Sequence, residues 1–427
     1  MLRKEQNDLL TQTGPGTPGG RLFRSYWVPA LLAGELPEND CPPVRVKLLS
    51  ERLIAFRDSN GRYGLMDEFC AHRGVSLWFA RNEECGLRCP YHGWKYDHTG
   101  QCIEVPSEPE ASGFAGKIKL KSYPLIEKGG VLWTYMGDPA SQPPEPEWEF
   151  ITVPAGHTYT SKRLQESNWL QAMEGGIDSS HVSFLHRGDL NSDPLFKGAK
   201  GNQYNLSDSR PVFEVVESPG GLYIGARRNA EDGKYYWRIT PWVMPCFTMV
   251  PPRGDHPMHG HFWVPMDDET CMAWSFDYHP VRPLSEYERQ AMIDGHGVHV
   301  KIDKNFRPLQ NKDNDYLIDR AAQKAGKTYS GIEGIGMQDA SLQESMGPIQ
   351  DRTKENLVST DNGVIMARHR LVKAAKDLAA KGSLPPGRDP AHQRIRSVSV
   401  VLSAGTPFKE GAGEALKAKE GVAQTSV

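Results

Sequence analysis

Two short segments of the sequence place a cysteine close to a histidine. Cys70 precedes His72 in a Cys-x-His motif, and Cys89 precedes His92 in a Cys-x-x-His motif. A [2Fe–2S] cluster with two thiolates on one iron and two imidazoles on the other requires this mixture, and the imidazoles raise its potential above that of an all-cysteine cluster. The spacing therefore predicts that these four residues hold such a cluster.

A structural zinc site is the alternative, because zinc also binds cysteine and histidine. Zinc sites usually pair a Cys-x2-4-Cys motif with a His-x3-5-His motif, whereas each segment here contains one residue of each type. Gly74 and Gly93 follow the two segments, where cluster loops need tight bends and open N–H groups. The cluster, known as a Rieske centre, is the favoured interpretation, and nearby Cys85 is expected to be a free thiol.

The loops around these ligands lack two cysteines that electron-transfer Rieske proteins of respiratory complexes use to form a disulfide. Val75 and Tyr91 occupy those positions here. Without the cross-link, and with fewer polar donors facing the cluster, we expect a lower potential. Such a potential suits a cluster that supplies electrons to oxygen chemistry.

A second group of metal-binding residues follows in the pattern Asp-x2-His-x4-His, formed by Asp178, His181 and His186. On a regular helix the two histidines would lie about 140° apart, so they can bind one ion only near a helix end or a bulge. Gly175 and Gly176 supply that irregularity. Two imidazoles and a carboxylate on one face of an iron ion leave positions open for oxygen and substrate. A helical pair of histidines is more often surface or core, but a cluster that delivers single electrons needs an acceptor.

The order of these motifs resembles the α subunit of the Rieske non-haem iron ring-hydroxylating oxygenases. Residues 336–340 and 343–352 are similar to the branch that contains phthalate dioxygenase and 3-chlorobenzoate dioxygenase, and the resemblance covers nearly the whole chain. It implies that His181, His186 and Asp339 ligate a mononuclear Fe(II). It also implies that Asp178 is the acid that bridges electron transfer between the two metal centres.

The resemblance further implies an assembly in which Asp178 couples its own iron to the cluster of a neighbouring subunit, in a homotrimer or in a hexamer of two stacked trimers. Asp351, Asp361 and Glu344 remain alternatives to Asp339 as the carboxylate ligand. No Gly-x-Gly-x-x-Gly fingerprint appears in the strand-to-helix setting that binds dinucleotides. Electrons are therefore expected from a separate reductase with flavin and ferredoxin-type centres.

Phthalate-type enzymes bind aromatic carboxylates, which requires a guanidinium group near an apolar pocket. The strand-rich region offers four candidates, Arg210, Arg227, Arg228 and Arg238. Arg238 is the first choice because the aromatic run at residues 235–242 surrounds it, where a charge needs a partner. Arg210 is the second choice.

These observations predict the terminal oxygenase of a dioxygenase that uses O2 to cis-dihydroxylate an aromatic carboxylate of the phthalate, isophthalate or chlorobenzoate type. Monooxygenation, as in O-demethylation, is the alternative within the family, because the same iron ligands support both outcomes. A plain electron-transfer Rieske protein is the alternative from another class. Such a carrier needs only the β-rich part of the chain and not the hundreds of residues that follow.

The sequence pattern predicts an all-β domain followed by an α+β domain. Residues 1–40 form an N-terminal segment, residues 41–140 contain short strands with a hairpin signal at Asn60-Gly61, and the Pro-rich residues 142–147 form a linker. From 150 to 385 we expect a helix over 167–186, strands over 212–278 and a long, interrupted amphipathic helix over 351–381. The family resemblance implies that this α+β domain is a helix-grip-like catalytic domain with an antiparallel sheet. At 386–427 we expect a surface arm or disordered tail.

The composition excludes several other classes of protein. The formal net charge of -3 provides no basic field for nucleic acid, and no apolar run is long enough to cross a bilayer. The first residues are polar and lack the apolar region of a secretory signal. Seven cysteines, an odd number in a long chain, do not suggest a secreted disulfide framework. We therefore expect a cytoplasmic protein that binds neither nucleic acid nor membrane.

Overall fold

The computed structural model describes residues 2–427, which form two compact units. The smaller unit is Phe23–Pro143, and the larger unit contains the residues up to Leu22 together with Pro144–Val427. The chain passes from one unit to the other between Pro143 and Pro144, inside the segment predicted to be a linker. Among the described residues, no helix is both long and apolar enough to cross a membrane.

The smaller unit is built from short antiparallel strands. Three sheets have the strand orders β1-β11-β10, β2-β3-β4-β9 and β5-β6-β7-β8. The strands are β1 (Trp27–Leu32), β2 (Val44–Leu48), β3 (Glu51–Arg57), β4 (Tyr63–Asp67), β5 (Arg81–Glu83), β6 (Gly86–Arg88), β7 (Lys95–Tyr96), β8 (Cys102–Glu104), β9 (Ser122–Tyr123), β10 (Leu125–Lys128) and β11 (Val131–Tyr135).

The hairpin predicted at Asn60-Gly61 is present and joins β3 to β4. Its connection is longer than a two-residue turn, and of the two residues only Gly61 has a positive φ, of +79°. The Asp58 carboxylate closes the connection by accepting hydrogen bonds at 2.9 Å from the backbone N–H groups of Asn60 and Arg62. The Asp58 side chain therefore stabilises a turn that has only one residue with a left-handed conformation.

The larger unit is organised around one antiparallel sheet. Its strand order is β12-β18-β17-β16-β15-β14-β13, and β19 pairs with the part of β15 that β16 leaves free. The strands are β12 (Thr158–Gln165), β13 (Val212–Glu217), β14 (Gly221–Asn229), β15 (Lys234–Val243), β16 (Phe247–Val250), β17 (Met258–Pro265), β18 (Cys271–Tyr278) and β19 (Val398–Ser403).

Helices cover this sheet and continue along the chain between its strands. The helix α4 contacts β16 and β17, and α9 contacts β13 and β14. The helices are α1 (Lys4–Thr11), α2 (Pro18–Phe23), α3 (Glu149–Thr152), α4 (Trp169–Ile177), α5 (Gly201–Ser207), α6 (Glu286–Ile293), α7 (Arg320–Lys324), α8 (Ile335–Ser345), α9 (Asn362–Lys381) and α10 (Phe408–Ala412). The α+β class, with an all-β unit and an antiparallel catalytic sheet, is the predicted one.

Both predicted long helices are shorter than the sequence pattern suggested. The first ends at Ile177, because two glycines weaken its last turn and Asp178 takes an extended conformation as the C-cap. The second begins at Asn362, and the residues from Asp351 to Val358 form turns and loop instead. Local polar hydrogen bonds replace the helix there, since the Asp351 carboxylate accepts from the Thr353 hydroxyl at 2.6 Å.

The prediction of a surface arm or disordered tail at 386–427 was wrong. The strand β19 adds to the main sheet through the register Lys234↔Ser403 to Ile239↔Val398. Phe408 on α10 is buried against Trp237 of β15, with ring centroids 5.2 Å apart. A few well-placed apolar residues are enough to anchor a segment that is poor in them overall, because the sheet supplies the backbone hydrogen bonds.

A buried ionic network ties α4 to the segments that cover it. Glu174 accepts hydrogen bonds from Arg352 Nη2 at 3.0 Å and from Arg368 Nε at 2.6 Å, and Arg368 also pairs with Glu355. Burial opposes ionisation of Glu174, but the two guanidinium groups hold its pKa below the ordinary value. Arg352 is fully buried, so it depends on this one carboxylate.

We expect Glu174→Ala to lower the free energy of unfolding by about 3–5 kcal/mol, because it leaves the Arg352 charge buried without an acid. Chemical denaturation followed by circular dichroism measures the change. Lys373→Ala is the control, since Lys373 forms an exposed ion pair with Asp377 on α9 and contributes little. Equal stability of the two variants would contradict the structural role of the network.

Candidate metal centres

The four predicted cluster ligands lie on two loops of the smaller unit with the same backbone geometry. In each loop the cysteine N–H donates to the carbonyl five residues later at 2.8 Å, and the glycine four residues later donates to the cysteine carbonyl at 2.9 Å. These glycines are Gly74 and Gly93, with φ of +71° and +78°. The repeated turn presents Cys70 and Cys89 in equivalent positions, as two halves of one site require.

The ligand side chains are arranged with the thiols inside and the imidazoles outside. Cys70 and Cys89 are 3% and 2% exposed, whereas His72 is exposed and His92 half-buried. The two imidazole rings lie edge to face with centroids 4.4 Å apart. Two thiols and two imidazoles that converge from adjacent loops fit a Rieske cluster, with the histidine-bound iron at the surface.

Tyr96 on β7, and Trp94 directly before that strand, contact the candidate cluster ligands. The Tyr96 hydroxyl oxygen accepts from the Ala71 N–H at 3.1 Å and lies 3.2 Å from Cys70 Sγ, to which its proton can be donated. The Trp94 ring stacks on His72 at 4.6 Å with an interplanar angle of 6°. Cys85 is remote from this set and accepts a hydrogen bond from Asn60, so it is not placed as a ligand.

Three side chains of the larger unit converge on a second point. His181 Nε2 lies 3.1 Å from His186 Nε2, and Asp339 Oδ1 lies 3.6 Å and 3.3 Å from them. These are the residues whose ligand atoms all fall within 4.8 Å of one another. Neighbouring ligands at about 2.1 Å from an octahedral ion are about 3.0 Å apart, so the three atoms can share one face of an iron ion.

The opposite nitrogen of each histidine is held by a hydrogen-bond acceptor. His181 Nδ1 lies 2.9 Å from Asp178 Oδ2, and His186 Nδ1 lies 2.8 Å from Gln338 Oε1. Burial of Asp178 opposes its ionisation, but hydrogen bonds from His181 and Ser180 hold the pKa of Asp178 below its ordinary value. The Nε2 atoms of both imidazoles face the shared point, which is how metal-binding histidines are oriented.

The other carboxylates considered from the sequence lie elsewhere. Glu344 accepts from the Glu166 N–H at 2.9 Å and from the Tyr316 hydroxyl at 2.6 Å, which uses both of its oxygens. Asp361 accepts from the Val358 N–H, and the exposed Asp351 pairs with a neighbouring lysine. Of the four carboxylates, the structure brings Asp339 alone to the histidines.

Comparisons with known proteins agree with this pair of centres. Residues 26–124 match the Rieske [2Fe-2S] domain, and residues 134–419 match the family described as LigXa C-terminal domain like. The 3-chlorobenzoate-3,4-dioxygenase oxygenase subunit of Comamonas testosteroni is 38% identical over 92% of this chain and 93% of its own length. The chain belongs to the Rieske non-haem iron oxygenases.

Two further relatives and one solved structure extend the comparison. The phthalate 4,5-dioxygenase oxygenase subunit of Pseudomonas putida is 35% identical over 96% of this chain and 94% of its own length. The 5,5'-dehydrodivanillate O-demethylase oxygenase subunit of a Sphingobium species is 32% identical over 92% and 85%. The oxygenase in a reduced complex with ferredoxin from carbazole 1,9a-dioxygenase shares the fold, with a TM-score of 0.55 at 19% identity over 91% of this chain and 93% of that one.

This Rieske oxygenase is thus a terminal oxygenase, whose cofactors are a [2Fe–2S] cluster and a mononuclear iron. Next to the three candidate iron ligands the larger unit contains a cavity, whose wall also includes Asp178, Arg238 and Arg253. The rest of the wall is largely apolar, with Phe196, Val250, Trp263, Val298 and Ile335. An apolar cavity with a few charged groups is the usual form of a small-molecule site.

The two arginines in this wall lack acidic partners. Arg238 and Arg253 are 1% and 3% exposed, and neither forms an ion pair with any described residue. Arg238 Nη1, Arg253 Nε and Arg253 Nη1 have no hydrogen-bond partner among residues 2–427. Burial and the nearby Arg238 charge lower the pKa of Arg253 to about 9, which still leaves it charged at neutral pH.

The other arginines suggested by the sequence are not part of the cavity wall. Arg210, the second choice from the sequence, is exposed and belongs to the loop before β13, so the structure does not place it at this cavity. Arg227 stacks on Tyr235 at 4.1 Å. Arg228 is buried but already bonded, because its Nη2 donates to the Ser179 carbonyl at 2.7 Å.

Several residues of the site were missed from the sequence. Arg253 follows two prolines in a loop, and Gln338 immediately precedes Asp339; neither has a spacing that marks it. His259 and His261 alternate along β17 and line the cavity, a period-two signal that could have been noticed. Burial lowers their pKa values, in the case of His261 to about 3, so both imidazoles are neutral.

We expect Tyr96→Phe to lower the reduction potential of the cluster. A hydrogen bond to a ligand sulfur favours the more negative, reduced state, and losing about 1 kcal/mol of that preference corresponds to about 40 mV. A redox titration followed by electron paramagnetic resonance measures the shift. Tyr63→Phe is the control, because Tyr63 donates to Glu127 instead of a cluster ligand. An unchanged or higher potential in the Tyr96 variant would refute the role given to its hydroxyl.

Proposed function

We propose that the substrate of this terminal oxygenase is an aromatic carboxylate of the phthalate, isophthalate or chlorobenzoate type, which it converts to a cis-dihydrodiol. The observation that carries the proposal is the pair of buried guanidinium groups, Arg238 and Arg253, in the wall of the cavity that contains the iron ligands. The two relatives named for 3-chlorobenzoate and phthalate support the same substrate class.

Charge balance is the physical reason for this choice. Arg238 Nε donates to the Ser179 hydroxyl at 3.2 Å and the Arg253 guanidinium lies 4.1 Å from the Phe196 ring centroid, but neither contact neutralises the charge. A buried cation without an acidic partner is costly, so a wall that contains two of them favours an anionic ligand. Guanidinium groups bind carboxylates through their N–H donors, and Arg238 and Arg253 each have such donors without a partner among the described residues. The apolar part of the wall suits an aromatic ring. A neutral aliphatic substrate would leave both charges uncompensated.

The residues around the iron site have defined tasks in the proposed reaction. When bound, the mononuclear iron supplies O2 activation, using electrons delivered one at a time. His181, His186 and Asp339 would hold it through one face, which leaves the opposite face for oxygen and substrate. Arg238 and Arg253 would hold the carboxylate and so orient the ring. Asp178 keeps the proton of His181 on Nδ1, so that Nε2 stays available.

Electrons are proposed to come from a separate reductase and to reach the iron through the cluster of a neighbouring subunit in a trimer or stacked hexamer. Asp178 and His181 also line a more open groove, whose rim includes the exposed Leu342 and Met346. The exposed His72 provides an edge of the cluster that another protein surface can approach. The ferredoxin complex of the solved relative agrees with an external iron–sulfur donor. The cytoplasmic location stays a prediction from the sequence.

Two other functions remain distinguishable by experiment. The O-demethylase relative supports monooxygenation as the second candidate, since similar ligands would serve it. A plain electron carrier would not need a cavity with iron ligands and unpaired guanidinium groups next to each other. Both alternatives differ from dioxygenation in how many oxygen atoms reach the product.

We expect the holoenzyme, with a compatible reductase and labelled O2, to place both labelled atoms in one ring product. A screen of phthalate, isophthalate, terephthalate and chlorobenzoates identifies the acid, and mass spectrometry counts the label. One labelled atom, with loss of a methyl group from a methoxylated acid, would support the O-demethylase alternative. No oxygenated product from any acid would contradict the proposed substrate class.

Separate substitutions Arg253→Met and Arg238→Met should each raise KM for the acid by about 100-fold, equivalent to about 2–3 kcal/mol of lost charge-assisted binding. Steady-state kinetics measures the change. Arg210→Met is the control, because Arg210 is exposed and outside the cavity wall. The variants should also lose their preference for the acid over its carboxamide. If they keep that preference, the guanidinium groups do not bind the carboxylate.

A further inference from the structure

The buried amide of Gln338 connects one candidate iron ligand to another. Gln338 lies on α8 directly before Asp339, and its side chain is 0% exposed. Its Oε1 lies 2.8 Å from His186 Nδ1. Its Nε2 donates to Asp189 Oδ2 at 2.7 Å and to the Ile332 carbonyl at 3.0 Å. Each polar atom of the amide therefore has a partner.

These partners fix the direction of the amide. The Ile332 carbonyl can only accept a hydrogen bond, so the amide nitrogen must face it. Rotating the amide by half a turn would bring Oε1 against the oxygens of Ile332 and Asp189 and leave two clashes of acceptors. Oε1 is therefore held toward His186, and it can only accept the proton of Nδ1.

We propose that Gln338 is a positioning residue for the mononuclear iron. By accepting the Nδ1 proton it holds His186 in the tautomer whose Nε2 carries the lone pair, 3.1 Å from His181 Nε2 and 3.3 Å from Asp339 Oδ1. The proposal rests on the assignment of these three residues as the iron ligands. Gln338 and Asp339 are adjacent, so one turn of α8 supplies a ligand and orients a second one.

The partner of His186 also differs in charge from the partner of His181. His181 faces the carboxylate of Asp178, whereas His186 faces a neutral amide. A carboxylate draws the Nδ1 proton more strongly and makes the imidazole a more basic ligand. Gln338 therefore orients the His186 imidazole without placing a negative charge next to it. The iron site then keeps one carboxylate-backed histidine, on the side of the groove that Asp178 lines.

Gln338→Met tests the proposal, because methionine is similar in size and cannot accept the Nδ1 proton. We expect the affinity of the mononuclear site for Fe(II) to fall about 10- to 100-fold, the usual loss when such a partner is removed. Anaerobic Fe(II) titration of full-length protein, freed of mononuclear iron but retaining its cluster, measures the affinity. The visible absorbance of the cluster reports that the protein is still folded.

Gln343→Met is the matched control. Gln343 lies on the same helix, is buried, and its Oε1 accepts from Gln165 Nε2 at 2.7 Å, but it bonds to none of the iron ligands. If loss of a buried hydrogen bond on α8 were enough to weaken the iron site, both variants would show the same fall in affinity. That result would overturn the proposal, as would unchanged affinity in the Gln338 variant.

A rescue experiment separates positioning from general damage. Gln338→Glu keeps an acceptor for His186 but sets a carboxylate against the oxygens of Asp189 and Ile332, so we expect weakened Fe(II) binding. Adding Asp189→Asn supplies a donor to that carboxylate and should recover most of the lost affinity. A double variant that binds no more tightly than the single one would count against the proposal.

The same titration distinguishes failure of this proposal from failure of the proposed function. If the wild-type protein binds no iron beyond the two ions of its cluster, the mononuclear iron site on which the proposed function depends is refuted. If the wild-type protein binds a third iron and the Gln338→Met variant binds it equally well, only the role proposed for Gln338 is refuted.

Discussion

The close approach of α4 and α8 is the packing contact on which the iron site depends. A Cβ atom on Gly175 would lie 2.1 Å from Gln343 Nε2, so a larger residue there would displace the end of that side chain. Gln171 strengthens the contact by donating to the Gln343 and Gly347 carbonyls at 2.9 Å and 2.8 Å. Because α8 is held this near, Asp339 reaches histidines that lie far away in sequence. The end of α4 at Ile177 then turns the chain so that both histidines face the same point.

The larger unit treats buried charge in two opposite ways. Around Glu174 every cation has an acid, and the resulting network fixes α4 to the segments beside it. In the cavity wall, Arg238 and Arg253 form no ion pair with any described residue, and each has a nitrogen atom without a hydrogen-bond partner there. Compensated charge inside a protein stabilises one packing arrangement, whereas a buried charge without an acidic partner at a cavity favours a ligand of opposite charge. This contrast is the physical basis for the different roles proposed for the two sets of arginines.

The two metal centres share a principle of construction. In the smaller unit two equivalent turns present the cysteines, and Tyr96 and Trp94 hold a thiol and an imidazole from the next segment. In the larger unit Asp178 and Gln338 hold the histidines from behind. At both centres the residues that contact the ligands are buried or part-buried, so they restrict the orientations of the ligand side chains. Such preorganisation keeps the ligand geometry independent of solvent.

The sequence by itself identified the candidate cluster ligands, the candidate histidine pair and the α+β organisation, because those signals are local. A Cys-x-His motif or an Asp-x2-His-x4-His pattern lies within a few residues, and strand and hairpin signals repeat over short distances. The same local signals overestimated the helices at 167–186 and 351–381, since hydrophobic periodicity continues past the points where Asp178 and the Asp351 turn end or prevent the helix.

Only the tertiary structure decided which carboxylate joins the histidines, which arginines face the cavity and what the C-terminal segment does. The sequence offers several carboxylates that could ligate the iron, and nothing local distinguishes Asp339 from them. The packing of α8 on α4 is what brings Asp339 next to the two histidines. The folded structure places Arg253 in the cavity wall and leaves Arg210 outside it. The C-terminal segment is part of the fold because β19 pairs with backbone groups of β15 that no other strand uses. Contacts between residues far apart in the chain carry no local signature, and the folded core alone brings them together.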